Sequence, residues 1–139
     1  MKVLVTGHNG YIGAILMPML RAEGFDVAGI DSDLYAACDF GGTPPEVPST
    51  VKDVRDLTQA DLTGYHAVLH LAGLSNDPLG NLNPELTSEI NHRATVKLAR
   101  LAKAAGVERF VFSSSCSNYG AGGNGMVRPA PPTHPERAQ

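Results

Sequence analysis

The sequence has little of what extracellular, membrane-bound or nucleic-acid-binding proteins need. Its only cysteines, Cys38 and Cys116, form no C-x-x-C pair, and its histidines form no cluster at metal-ligand spacing. No apolar run approaches the roughly 18 residues of a membrane helix, and the amino terminus has no signal-peptide pattern. A net charge of -3 supplies no basic surface for nucleic acid. We therefore expect a cytoplasmic protein with no metal site and no membrane or nucleic-acid partner.

What the sequence does have is a glycine-rich turn directly after an apolar run. Residues 3–6 are typical of a strand, Gly7, Gly10 and Gly13 recur at every third residue, and a helical pattern begins at Tyr11. Backbone amides at a helix start can bind a diphosphate only where no Cβ holds it away. We expect Gly7 to allow the sharp turn, Gly10 the approach of phosphate, and Gly13 close packing of the helix on the sheet. A glycine turn without a ligand is the alternative interpretation.

The residues after this turn predict a strand-helix-strand unit. Apolar side chains recur at helical spacing from residue 11 to 23, with Pro18 expected to bend the helix and Gly24 to end it. Residues 25–30 form a second predicted strand, which ends at Asp31. Such a unit implies a right-handed crossover and a parallel sheet.

Asp31 is a candidate ligand for the adenosine ribose of a dinucleotide. It follows Gly13 by 18 residues, close to the spacing at which dinucleotide folds place an acidic residue on that sugar. No Lys or Arg lies between Arg21 and Lys52 to pair a 2′-phosphate, which favours NAD over NADP as the cofactor. The alternative is that Asp31 only caps a turn.

Three more strands and one long helix are predicted downstream. The strands cover residues 51–54, 66–73 and 108–114, and short helices are expected at residues 34–37 and 57–62. Asn83 is the predicted N-cap of the long helix, which Gly106 closes. Its apolar stripe consists of Leu86, Ile90, Ala94, Leu98, Leu101 and Ala105.

These elements predict a doubly wound α/β fold of the Rossmann type, with strand order 3-2-1-4-5. Residues 1–120 are assigned to this domain, and the Gly- and Pro-rich residues 121–139 to a loop or disordered tail. His70 lies in the fourth strand, where a buried structural histidine is more common than a catalytic one.

Three motifs resemble the extended branch of the short-chain dehydrogenase/reductase superfamily. They are T-G-x-x-G-Y-I-G at residues 6–13, H-L-A-G at residues 70–73 and F-S-S-S-x-x-x-Y-G at residues 112–120. This branch includes nucleotide-sugar epimerases, dehydratases and decarboxylases. The resemblance implies NAD as cofactor, a nucleotide-sugar as substrate and a homodimer as the full-length assembly.

The resemblance also assigns roles to individual residues. It implies that Asp53 contacts the exocyclic amine of adenine, Val54 the adjacent ring nitrogen, and Ser115 the substrate oxygen that is oxidised. The alternatives are a strand-to-helix cap at Asp56 with a solvated charge cluster, a surface position for Asn91 and simple backbone capping by Ser115. The implied cofactor contacts are Gly7, Gly10, Tyr11, Ile12, Gly13, Asp31, Ser32, Asp53, Val54, Leu71, Ala72, Gly73, Ser75 and Asn91.

Two departures from the family pattern narrow the expected function. Family dehydratases follow the serine with Asp-Glu, but Cys116 and Ser117 stand here, which disfavours elimination and favours transient hydride transfer at a sugar ring carbon, as in an epimerase. The catalytic Tyr-x-x-x-Lys pair of the family is absent, because no Tyr follows Tyr119 and no Lys follows Lys103. We therefore expect an amino-terminal part of a longer enzyme, truncated before the sixth strand and inactive alone. A reductase, decarboxylase or dehydratase of the same family and a non-catalytic NAD-binding regulatory module remain alternatives.

Overall fold

The fold is built on a parallel five-stranded β-sheet. A computed structural model describes residues 1–36, 47–75 and 82–115. The strands are hydrogen-bonded in the order β3-β2-β1-β4-β5, and the pairings between neighbours are parallel. The predicted strand order is therefore confirmed. The strands are β1 (Lys2–Thr6), β2 (Asp26–Asp31), β3 (Ser49–Val51), β4 (Ala67–His70) and β5 (Arg109–Phe112).

Helices cover both faces of this sheet. Helix α1 (Tyr11–Ala22) packs Met17 against one face, and a longer helical run packs Leu98 and Ala102 against the other. Successive side chains of β1 point to opposite faces of the sheet, so Leu4 packs in one hydrophobic core and Val3 in the other. Strands covered on both faces must be apolar nearly throughout, which explains the continuous apolar runs in the sequence.

The third strand begins two residues earlier, and ends three residues earlier, than the sequence pattern indicates. β3 ends at Val51, and Val54–Asp56 form a 3₁₀ turn in place of the predicted end of the strand. The carboxylate of Asp53 caps this turn by accepting the backbone N–H of Arg55. Such a local bond competes with strand pairing. Val54 therefore belongs to the turn and not to the sheet, and its apolar side chain is buried there.

Two short helices predicted from the sequence are also corrected. Residues 34–36 form a turn after Asp33, which has a φ of 53°, and Ala37 lies outside the described residues. In place of one helix over residues 57–62, the chain makes a second 3₁₀ turn at Gln59–Leu62. Thr58 and Asp61 form a capping box at its start. Helix α1 continues through Pro18, whose side chain faces solvent.

The long helix has an interruption that the sequence analysis missed. It consists of α2 (Pro84–Ser88), a π-helical segment (Glu89–Ala94) and α3 (Thr95–Ala104). Asn83 is its N-cap as predicted, with its side-chain oxygen accepting the N–H of Leu86, and Gly106 adopts a φ of 79° at its end. The apolar stripe repeats every fourth residue from 86 to 98. That spacing is wider than the 3.6-residue α-helical period, and a π turn, with its i→i+5 bonds, accommodates it.

Several predictions fall on residues that the structure does not describe. These are the end of the serine motif, from residue 116 to 120, and the predicted tail at 121–139. Within the described ranges, no helix combines the length and apolarity required to cross a lipid bilayer. The same ranges contain no group of three or more His, Cys, Asp or Glu side chains arranged to hold a metal ion.

Candidate functional site

The predicted site residues collect at one edge of the sheet. Because the strands are parallel, the segments that follow their carboxyl ends all emerge on the same side. Backbone hydrogen bonds continue the pairing beyond the strands, with Leu71 N–H donating to Thr6 C=O at 3.0 Å and Ser113 N–H to His70 C=O at 3.1 Å. The fold thus places the glycine turn, Asp31 and the segment at residues 71–75 along a single crevice.

The glycine turn requires residues without a side chain. Gly7 has a φ of 75°, and a Cβ there would lie 2.7 Å from the backbone nitrogen of Ala72. A Cβ on Gly13 would collide with the carbonyl group of His8. Gly10 is the N-cap of α1, so no side chain occupies the amides of the first helical turn. Those amides belong to Tyr11, Ile12 and Gly13, and the side chains of Tyr11 and Ile12 are exposed.

Asp31 is held in a fixed orientation at the end of β2. Its Oδ2 accepts the backbone N–H of Asn9 at 2.9 Å, and its Oδ1 accepts that of Asp33 at 3.0 Å. The Asn9 side chain donates to the Asp33 carboxylate at 2.6 Å, which closes the loop against the glycine turn. A carboxylate can accept about four hydrogen bonds, so Asp31 retains acceptor capacity toward a ligand. Ser32 is exposed beside it.

Asp53 is anchored by its neighbour Arg55. The Arg55 guanidinium donates through Nε to Oδ1 at 3.0 Å and through Nη2 to Oδ2 at 2.7 Å. The side-chain hydrogen bond with Arg55 lowers the pKa of Asp53 below its ordinary value, although partial burial opposes the shift. The backbone carbonyl of Arg55 in turn accepts Lys97 Nζ from helix α3. Asp53 is therefore both the cap of the 3₁₀ turn and a charged acceptor near the crevice.

Asn91 fixes the loop that follows β4. Its Nδ2 donates to Leu74 C=O at 2.8 Å, and its Oδ1 accepts Leu74 N–H at 2.7 Å, so the side-chain amide pairs with one residue's backbone as a neighbouring strand would. Asn91 is half-buried, so the alternative that it is a surface asparagine is excluded. A Cβ on Gly73 would lie 3.1 Å from Asn91 Oδ1. A side chain at position 73 would therefore have to displace the Asn91 amide by a few tenths of an ångström.

The remaining predicted contacts lie on either side of this loop. Leu71 and Ala72 are half-buried, whereas Gly73 and Ser75 are exposed at the crevice. Ser115 is exposed three residues beyond the end of β5, at the same edge of the sheet.

His70 is part of a closed hydrogen-bond network. Its Nδ1 lies 2.6 Å from Thr6 Oγ1 and its Nε2 lies 2.8 Å from Thr95 Oγ1. The Thr95 hydroxyl donates its single proton to Asn91 C=O, so it must accept from His70 Nε2–H, and Thr6 must donate to Nδ1. Burial lowers the pKa of this imidazole to about 4. His70 therefore has the structural role expected from its position.

His8 is a site residue that the sequence analysis missed. It lies inside the glycine motif, yet its imidazole is 5% exposed and packs where Gly29 leaves room on β2. The Nδ1 atom has no hydrogen-bond partner among the described residues and lies 4.0 Å from Asp31 Oδ2. The sequence signal was Gly29 itself, since a glycine inside a buried strand often marks the close approach of another group.

Comparison with known proteins gives a consistent group of relatives. Residues 3–138 match the model of the NAD dependent epimerase/dehydratase family. UDP-glucose 4-epimerase of Mycolicibacterium smegmatis is 33% identical over 142 residues, which cover 97% of this chain and 42% of that protein. The chain thus spans about two fifths of the length of this curated relative.

Solved structures show the same architecture. MoeE5 in complex with UDP-glucose and NAD is 30% identical, with a TM-score of 0.75, over 93% of this chain and 43% of that one. DesIV, a dTDP-glucose 4,6-dehydratase from Streptomyces venezuelae with NAD and TYD bound, is 29% identical, with a TM-score of 0.76, over 90% of this chain and 42% of that one.

Proposed function

Because the chain belongs to the NAD dependent epimerase/dehydratase family, we propose that it is the NAD-binding portion of a nucleotide-sugar epimerase. The observation that carries the proposal is the glycine turn, in which an added Cβ at Gly7 or Gly13 would meet backbone atoms. A turn so free of side chains leaves the first amides of α1 accessible to a diphosphate. The proposal that a dinucleotide binds here is therefore supported by the glycine turn of this chain as well as by its relatives.

The other residues of the crevice would hold the rest of the dinucleotide. Asp31 would accept hydrogen bonds from the adenosine ribose, with Ser32 beside it. Asp53 and Val54 would contact adenine. Leu71, Ala72, Gly73 and Ser75 would border the cofactor on the β4 side, and Asn91 would act by keeping the loop at Leu74 in place.

NAD, when bound, supplies a hydride acceptor that can return the hydride to the same carbon. In our proposal Ser115 hydrogen-bonds the sugar oxygen that changes oxidation state. The step also requires a base for the hydroxyl proton, and the 139 residues contain no Tyr-x-x-x-Lys pair to provide it. We therefore expect these residues alone to bind NAD without converting UDP-glucose.

A 4,6-dehydratase is the second candidate, because DesIV is 29% identical to this chain with a TM-score of 0.76. Cys116 and Ser117 argue against it, since neither side chain replaces the acid and base that water elimination needs. A homodimer and a cytoplasmic location belong to the same proposal. They rest on the family resemblance and on the absence of a disulfide framework from the sequence.

Thermal shifts with NAD and NADP test the cofactor assignment. NAD is expected to raise the melting temperature of the protein more than NADP, because the Asp31 carboxylate repels a 2′-phosphate. Asp31→Asn should weaken NAD binding about tenfold, since it removes a charged acceptor, and should narrow the difference between the cofactors.

Asp26→Asn is the matched control, because Asp26 is exposed at the opposite end of the same strand. It should leave both shifts unchanged. A wild-type preference for NADP would show that Asp31 does not contact the ribose, and no binding of either dinucleotide would refute the proposed function.

A further inference from the structure

His8 occupies a position that would be simpler to fill with an apolar side chain. The ring is nearly fully buried and packs directly over Gly29, while the backbone of His8 lies against Gly13. A buried polar atom without a partner is destabilising, so its presence calls for an explanation. Packing alone does not explain the Nδ1 atom, because a hydrocarbon ring would fill the same space without that penalty.

The unpartnered nitrogen faces the carboxylate that is proposed to bind ribose. The 4.0 Å between Nδ1 and Asp31 Oδ2 exceeds a hydrogen-bond distance by about 1 Å. In the Nε2–H tautomer, Nδ1 would turn a lone pair toward the negative oxygen, which is unfavourable. In the Nδ1–H tautomer it presents a donor, so the carboxylate favours the second form.

We propose that His8 is a positioning residue for the adenosine ribose, and that its Nδ1–H closes onto Asp31 Oδ2 when the ribose hydroxyls bind that carboxylate. This inference rests on the proposed function. Asp31 is then held by three donors, which are His8 Nδ1 and the backbone amides of Asn9 and Asp33. With its rotation restricted, the carboxylate directs its remaining acceptor site toward the sugar.

Two substitutions separate this role from simple packing. His8→Phe retains a ring over Gly29 but removes the donor, whereas His8→Asn places an amide nitrogen near the position of Nδ1. Binding of NAD and of an NAD analogue that lacks the adenosine 2′-hydroxyl would be measured by calorimetry on the full chain. We expect His8→Phe to weaken NAD binding about fivefold and to change the affinity for the analogue much less. We expect His8→Asn to recover most of the lost NAD affinity.

The Asp31→Asn background provides the decisive control. If His8 acts through the carboxylate, His8→Phe has little further effect once Asp31 is changed. Equal weakening of NAD and the analogue, or an unchanged effect of His8→Phe in the Asp31→Asn protein, would overturn the proposal and leave His8 a packing residue. If wild-type protein binds no NAD at all, the proposed function fails first.

A measurement on wild-type protein covers the case in which His8→Phe does not fold. The ¹⁵N chemical shifts of the His8 ring report which nitrogen carries the proton. In the NAD complex we expect a protonated, hydrogen-bonded Nδ1. An Nε2–H tautomer in that complex would contradict the inference whatever the variants do.

Discussion

His8 and His70 are both buried, at 5% and 0% exposure, and both lie near the carboxyl edge of the sheet, yet their ring nitrogens have different surroundings. Both nitrogens of His70 meet threonine hydroxyls on β1 and α3. The Nδ1 atom of His8 meets none, and faces a carboxylate beyond hydrogen-bond distance. The two side chains therefore differ in hydrogen bonding while they share depth of burial.

The difference separates a residue whose hydrogen bonds stabilise the fold from one that, in our proposal, completes its hydrogen bonding only when a ligand binds. A closed network such as that of His70 holds two strands and a helix in one arrangement. An open one such as that of His8 gives up some stability in the free protein, and the loss is recovered only if binding completes the bond. Burial alone does not distinguish the two roles, whereas the partners of each nitrogen do.

The largest expected effect is a loss of stability in mild acid that originates at His70. Burial holds its pKa at about 4, below its ordinary value of 6.5. The unfolded chain therefore takes up a proton below pH 6.5 that the fold excludes until about pH 4. The free energy of unfolding is highest above pH 6.5 and falls by about 3 kcal/mol across this window. Urea unfolding at pH 7, 5.5 and 4 measures the decline.

Asp61 offers a contrast at lower pH. Partial burial raises its pKa, but hydrogen bonds from Lys52 and Thr58 outweigh that and lower it to about 2. The contribution of Asp61 to the free energy of unfolding is therefore lost only below about pH 3.8, outside the pH range in which His70 acts. Stability that stays flat between pH 6.5 and 4 would mean that the fold accepts a charged His70 without cost.

The next effect is that of His70→Phe at pH 7.5. The new ring can keep the aromatic contacts with Phe110 and Phe112, but it removes both threonine hydrogen bonds and leaves the buried Thr6 hydroxyl without this partner. We expect the free energy of unfolding to fall by about 2 kcal/mol, measured from the urea midpoint. Adding Thr6→Val should restore part of the loss, because both polar partners are then gone. No difference between the single and double variants would argue against a shared network.

The smallest effect is expected from the matched substitution His8→Phe in the absence of ligand. It removes an unsatisfied nitrogen, so the gain offsets the strain of a slightly larger ring over Gly29. The net change in unfolding free energy should be less than about 1 kcal/mol by the same urea assay. A loss as large as that of His70→Phe would remove the contrast between the two histidines.

Much of the fold could be predicted from the sequence, because local patterns agree with it. The glycine spacing and the alternation of strands and helices indicated the strand order, which is confirmed. The motifs at residues 6–13, 70–73 and 112–120 indicated the family, which the comparisons show. The errors arose where a polar side chain redirected the backbone. Asp53 caps a 3₁₀ turn where the end of β3 was expected, and a turn follows Asp33 where a helix was expected.

The site was less accessible to sequence reasoning. The positions of Asp31 and the glycines follow from spacing along the chain, and their cofactor contacts remain predictions. The pairing of Asn91 with Leu74 joins residues 17 apart in sequence, one just after β4 and the other in the π-helical segment, and no periodicity encodes it. The approach of His8 to Asp31 likewise depends on how the turn folds over β2, which only the three-dimensional arrangement reveals.

The contact between His8 and Gly29 limits the order in which substitutions at these two positions can be tolerated. Any side chain larger than hydrogen at position 29 meets the imidazole, so Gly29→Ala should be damaging while His8 is present and tolerated once position 8 is small. Evolutionary paths that enlarge position 29 must therefore pass first through the loss of His8. The two sites are epistatic, and any engineering of the second strand has to begin in the turn.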